Sequence, residues 1–161
     1  MRLQRPWALE LEYTRQMMAP LVMRPAGAWP RDVLIVGLGA ASQLRFLWRH
    51  RPAARFTVVE IDEQVVAVAR QSFKLPDDER ICLVVGDAVD EVPSLAGSFD
   101  LVLIDVIRPA QWAAQGWAEP LDAYLGADKA KILPTYLKAY AEANTVNGKL
   151  MALPYYADSQ F

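Results

Sequence analysis

The stretch RDVLIVGLGAASQLRFLWRH, residues 31–50, decides the fold. Val33 to Val36 form a continuous apolar run. Gly37 and Gly39 follow, then a helix-like stretch reaching His50. An apolar run without polar alternation suits a strand buried on both faces. Two glycines after it permit a tight turn and close approach of a ligand to the backbone. The next helix opens with free N–H groups. The segment therefore predicts strand, glycine loop and helix, with a small-molecule pocket beyond the strand's carboxyl end.

The same alternation continues outward. Strands are expected over 32–38, 54–62, 80–87 and 98–106, and helices over 41–50 and 63–73. AVDEVPSL (88–95) reads as a short helix limited by Pro93, and 129–144 as a helix carrying Pro134. NGKLMALPYY (147–156) begins with a turn and reads as a fifth strand. Alternating apolar strands and helices predict an α/β fold, a doubly wound and mostly parallel sheet with right-handed crossovers. Its ligand belongs beyond the carboxyl ends of the strands.

Towards the N-terminus, Leu9, Leu11 and Tyr13 alternate with polar residues like a short strand, and Thr14 is placed to cap a helix through Met17 and Met18. The expected organisation is a strand/helix segment and connector over 1–30, then a nucleoside-binding domain over 31–161. Residues 107–128 form the longest irregular segment. It carries Trp112, Trp117 and Tyr124 and is placed to act as a lid or substrate wall, or simply to pack its aromatics onto the body.

Composition narrows the classes. The 161 residues suit one domain, and 53% hydrophobic with 22% charged residues is a globular composition. A net charge of −2 argues against a nucleic-acid partner. Arg45, Arg49, His50 and Arg51 cluster, and read as the solvated end of a helix. One cysteine, Cys82, excludes a disulfide within the chain and suits a cytoplasmic protein. Its strand-like surroundings suggest a buried structural thiol. One His and one Cys do not suit an ordinary zinc site, so no metal is expected. Charges interrupt the N-terminus before a signal-like core develops. No stretch approaches the roughly 18 apolar residues that span a bilayer, so no membrane role is expected.

Chemistry-bearing residues fall at the ends of four successive strands. Gly37 and Gly39 form the loop after the first. Glu60 ends the second, about 20 residues beyond the glycines, where an acid can accept hydrogen bonds from a ribose diol. Asp62 is placed to cap the following helix. Asp87 ends the third, and with the Ala88 N–H it can read an adenine edge. Asp105 ends the fourth, after four apolar residues.

Taken together, VLIVGLGAASQLRFLWRH, FTVVEIDEQVVAVAR, VVGDAVD and FDLVLIDV resemble the spermidine synthase family, within the Rossmann-like, S-adenosylmethionine-dependent methyltransferase-like fold. LEYTRQMM resembles the segment preceding the nucleotide-binding domain in bacterial members. The resemblance spans roughly residues 9–156. It implies transfer of an aminopropyl group from decarboxylated S-adenosylmethionine to an amine such as putrescine, leaving methylthioadenosine. By it, Gly37, Gly39, Glu60, Ile61, Asp87 and Ala88 would bind the nucleoside donor. Asp105 would orient and deprotonate the attacking amine. Tyr13, Arg108 and Trp112 would face the acceptor, and a homo-oligomer is possible.

Two motifs depart from the family pattern. Its glycine loop, G-G-G-D-G, is Gly37-Leu38-Gly39-Ala40-Ala41 here, and the Asp that contacts the donor's amino group is Ala40. Its D-S-x-D-P is Asp105-Val106-Ile107-Arg108-Pro109, which reverses one charge at the amine site. Arg108 suits a carboxylate, which intact S-adenosylmethionine carries and the decarboxylated form does not. A methyltransferase of the same fold, and a catalytically inactive nucleoside-binding or structural homologue, are therefore alternatives. Proteins of this fold continue past the fifth strand with a helix and an antiparallel strand pair. The sequence stops at Phe161 without that pair, which would leave the fifth strand an open edge: either the sequence is a fragment, or another chain covers the edge, or the fold is trimmed.

Overall fold

The structure, a computed structural model, describes residues 5–23, 27–104 and 109–154. The chain divides into two compact units, Met1–Ile104 and Asp105–Phe161. The first holds α1 (Glu12–Gln16), α2 (Ala19–Met23), β1 (Asp32–Val36), α3 (Ser42–His50), β2 (Arg55–Glu60), α4 (Glu63–Ser72), β3 (Ile81–Val85), α5 (Ala88–Glu91) and β4 (Leu101–Leu103). The second holds α6 (Pro109–Ala114), α7 (Asp122–Leu125), α8 (Lys129–Ile132), α9 (Lys138–Ala143), β5 (Thr145–Val146) and β6 (Lys149–Leu150).

In the first unit four strands pair in the order β3-β2-β1-β4, all parallel. The register sets Val33 beside Phe56 and Leu101, and Phe56 beside Ile81. The inner strands are buried apolar runs, as parallel pairing under helices requires. Leu44 and Leu47 of α3 and Val66 and Ala69 of α4 join them in one core. α4 begins where expected, with the Asp62 carboxylate accepting the Gln64 N–H at 2.8 Å. α3 has no such cap. Ala41 precedes it in the left-handed region (φ 55°), at a strain of roughly 1–2 kcal/mol for a residue with a Cβ. Ala41 stands where the family pattern has its last glycine.

Several expectations are corrected. Leu9 to Tyr13 form no strand; Glu12–Gln16 is helical and Leu11 is exposed. Alternation needs a neighbouring strand to pair with, and none lies beside this segment among the described residues. Thr14 lies inside α1 rather than capping it, and its hydroxyl donates to the Leu11 carbonyl at 2.6 Å. Cys82 is exposed, because β3 is an outer strand. Arg45 is 3% exposed, not solvated, and its Nε and Nη1 have no hydrogen-bond partner. Burial pulls its pKa down.

In the second unit, residues 107–128 are less irregular than expected, since α6 and α7 fall within them. The expected helix over 129–144 is split. Pro134 lacks the N–H that would bond to Ala130, so the chain passes through a tight 3-10 turn, Leu133–Thr135, between α8 and α9. The expected fifth strand is also different. Lys149–Leu150 pairs antiparallel with Thr145–Val146 in a two-stranded hairpin, turning through Asn147 and Gly148, both at positive φ. Tyr155 and Tyr156 lie outside the described residues. Among the described residues, no helix is long and apolar enough to cross a membrane.

One polar cluster ties the first unit together at the amino end of β3, away from the carboxyl ends that carry the glycine loop and Glu60. Asp78 accepts from Arg80 through Nε (3.0 Å) and Nη2 (2.8 Å), and from the Trp48 indole at 2.7 Å. Arg80, then Trp48, hold its carboxyl well below the usual aspartate range. A depressed folded-state pKa contributes stability above the unfolded value, lost as pH falls through the folded one. Asp78→Asn is thus expected to lower the melting temperature at neutral pH and to lessen its dependence on acid. Thermal melts from pH 7 down to pH 2 check this, and equal acid dependence in both proteins would refute it.

Candidate functional site

The register of the first unit brings three of the four strand ends to one edge. Val36 pairs with Val59, and Glu60 with Val85. The Gly37 N–H continues the ladder to the Val59 carbonyl at 2.8 Å, and the Gly86 N–H reaches the Glu60 carbonyl at 2.9 Å. Gly37, Glu60 and Gly86 are therefore stitched together by backbone alone. Gly37 and Gly39 have φ of 87° and 49°, and the space a Cβ would take at each is open. The glycines serve the turn's conformation and leave room above it.

Glu60 is the centre of this edge. It is 7% exposed, and its two carboxylate oxygens hold two loops. Oε2 accepts the Leu38 N–H of the glycine loop at 2.7 Å, and Oε1 accepts the Asp62 N–H at 3.1 Å. A carboxylate has about four acceptor sites, so two remain for further donors. Ile61 beside it is 70% exposed, unusual for so large an apolar side chain. Asp87 is exposed and caps α5, its Oδ1 accepting the Val89 N–H at 2.9 Å. Its second oxygen remains for another donor, and Ala88 opens the helix. Gly86 has no spare space, since a Cβ there would meet the Glu91 carboxylate at 2.6 Å.

The remaining candidates are placed by other elements. Tyr13 is half-buried on α1. Asp105 and Arg108 lie outside the described residues. Trp112 belongs to the second unit, where it is 6% exposed and meets Trp117 edge-on at 5.6 Å between ring centres. Among the described residues no three His, Cys, Asp or Glu side chains group as metal ligands. The Glu60 to Leu38 bond is what sequence reading missed. Its only signal was an acid ending one strand and a glycine loop ending another.

The parallel sheet, its glycine loop and the buried acid ending β2 define a class: the Rossmann-like, S-adenosylmethionine-dependent methyltransferase-like α/β fold. Residues 11–122 match the spermine/spermidine synthase domain, and the chain belongs to that family. It is 38% identical over 106 residues to a polyamine aminopropyltransferase of Chromobacterium violaceum, covering 65% of this chain and 40% of the relative. It is 40% identical over 92 residues to an eEF1A lysine and N-terminal methyltransferase homolog of Drosophila melanogaster, covering 55% and 14%. The chain thus spans less than half the length of either relative.

Solved structures agree. Spermidine synthase bound to the transition state analogue AdoDATO aligns with a TM-score of 0.51 at 27% identity, covering 63% of this chain and 35% of that one. Human methyltransferase-like protein 13 bound to SAH aligns with a TM-score of 0.56 at 22% identity, covering 81% and 62%. The second likeness is one of fold.

Proposed function

We propose that this chain is a spermidine-synthase-like transferase that binds decarboxylated S-adenosylmethionine and passes its aminopropyl group to an amine. The observation that carries the reading is Glu60, a buried carboxylate latched to the glycine loop with acceptor capacity left over. Its free lone pairs would take the ribose hydroxyls. Asp87 and the Ala88 N–H would take the adenine, and the open space above Gly37 and Gly39 would admit the sulfonium end. In transfer, the neutral amine attacks the propyl carbon next to sulfur, the carbon–sulfur bond breaks, and methylthioadenosine leaves. The proton lost by the amine would pass to Asp105, because a protonated amine has no lone pair to attack with. The exposed, unpaired Cys82 suits a reducing compartment such as the cytoplasm.

Methyl transfer from intact S-adenosylmethionine is the second reading. Ala40 and Arg108 favour it, and so does the methyltransferase relative from Drosophila melanogaster. Calorimetric titration separates the two. Tighter binding of methylthioadenosine than of S-adenosylhomocysteine supports aminopropyl transfer. The opposite preference, removed by Arg108→Ala, supports methyl transfer. Binding with no product from any amine or methyl acceptor supports the inactive alternative.

Glu60→Ala is expected to weaken methylthioadenosine binding at least about tenfold, near 1.4 kcal/mol. It also orphans the buried Leu38 N–H, at a stability cost of roughly 1–3 kcal/mol. Calorimetry and urea unfolding measure the two effects separately. Unchanged affinity would remove Glu60 from the ligand site.

A further inference from the structure

We propose that the outer edge of β3 is a docking strip for an extended peptide with an apolar centre and basic flanks. β3 pairs with β2 and ends the sheet. The bonds at either end of that ladder, Phe56 N–H to Arg80 carbonyl (2.7 Å) and Gly86 N–H to Glu60 carbonyl (2.9 Å), set its phase. Residues 80, 82, 84 and 86 turn their backbone groups toward β2. Leu83 and Val85 turn theirs outward, and no partner meets them among the described residues. The Ile81 N–H is already bonded to the Asp78 carbonyl at 3.0 Å. Ile81–Val85 contains no charge and no proline, the usual guards of an outer strand, and Val85 is 48% exposed.

A groove of about 390 Å³ adjoins this edge, lined by Leu75, Pro76, Ile81 and Leu83 together with the charged Arg70, Asp77 and Asp78. A strand added to β3 would place every second side chain on the face where Ile81 and Leu83 line the groove. One peptide could therefore satisfy the backbone edge and fill the groove, the pattern of recognition by strand addition.

The surrounding charge selects the occupant. Asp77 and Glu79 are exposed before the strand, and Asp87 and Asp90 are exposed after it. Arg70 and the exposed Lys74 oppose these four acids with two charges, while Arg80 is already engaged by Asp78. A second copy of this chain, pairing antiparallel along β3, would set acid against acid at both ends. Lysines or arginines flanking an apolar centre complement them.

The test uses a short capped synthetic peptide, with valine and threonine alternating around a central leucine and lysines at both ends. Fluorescence anisotropy is expected to show saturable binding, with amide hydrogen exchange slowed at Leu83 and Val85. Glutamates in place of the lysines, or a proline beside the leucine, are expected to weaken binding at least about tenfold, near 1.4 kcal/mol. Asp77→Lys combined with Glu79→Lys, both at exposed positions, is expected to reverse the charge preference. Indifference to the proline, unchanged exchange at Leu83 and Val85, no binding, or a dimer joined through β3 would each overturn the proposal.

Discussion

Asp105→Asn is expected to slow the proposed aminopropyl transfer by roughly 10²–10⁴-fold, the usual contribution of a positioned general base. In barrier terms that is about 3–5 kcal/mol. The effect follows from the acceptor's chemistry. An alkylamine with a pKa near 10 is almost wholly protonated at neutral pH, so its proton must leave before or during attack. Asparagine keeps the shape of aspartate and takes no proton. Nucleoside binding, which we propose rests on Glu60 and Asp87, should stay within about twofold (under 0.5 kcal/mol). Raising the pH toward 9 should restore part of the lost rate, because the amine then sheds its proton to solvent. Single-turnover assays across pH measure this. A variant as fast as the natural chain at pH 7 would dismiss Asp105 as the base, and a loss of nucleoside affinity would move it to the donor site.

Phe56→Ala is the substitution with the largest expected effect on stability, roughly 3–5 kcal/mol. Phe56 is 1% exposed, on β2, with Val33 and Ile81 beside it in register on the neighbouring strands. Removing the ring leaves a cavity that these parallel strands cannot close without breaking their ladders. Domains of this kind are stable by about 5–15 kcal/mol in total, so the loss is a large fraction of it. At this chain length each kcal/mol corresponds to roughly 2–4 °C in melting temperature. Urea unfolding gives the free energy directly. A loss under about 1 kcal/mol would mean the site collapses and β2 is not the rigid centre of the sheet.

The two predictions rest on unequal parts of the sequence. The strand holding Phe56 was legible because Arg55–Glu60 is a β-branched apolar run with a helix cap, Asp62, just beyond it. Its neighbours were legible for the same reason. Asp105 was singled out by its place after four apolar residues, and its role rests on family resemblance. The failures are also instructive. Leu9, Leu11 and Tyr13 alternate correctly for a strand, but no strand lies beside them among the described residues. Residues 129–144 have helical spacing, but Pro134 lacks the N–H a continuous helix needs, so the chain forms two helices with a 3-10 turn between them.

What the sequence determined alone was local: apolar run lengths, the Asp62 cap, glycine turns, and an acid at three of the four strand ends. Each depends on residues within a few positions of one another, where sterics and hydrogen bonding act directly. Tertiary structure alone decided the order β3-β2-β1-β4. That order made β3 an outer strand, exposing Cys82 and leaving the Leu83 and Val85 backbone turned outward. Tertiary structure also buried Arg45 and set the Glu60 carboxylate against the Leu38 N–H, 22 residues away in sequence. These outcomes depend on which distant atoms meet when the chain closes, and no local pattern encodes that.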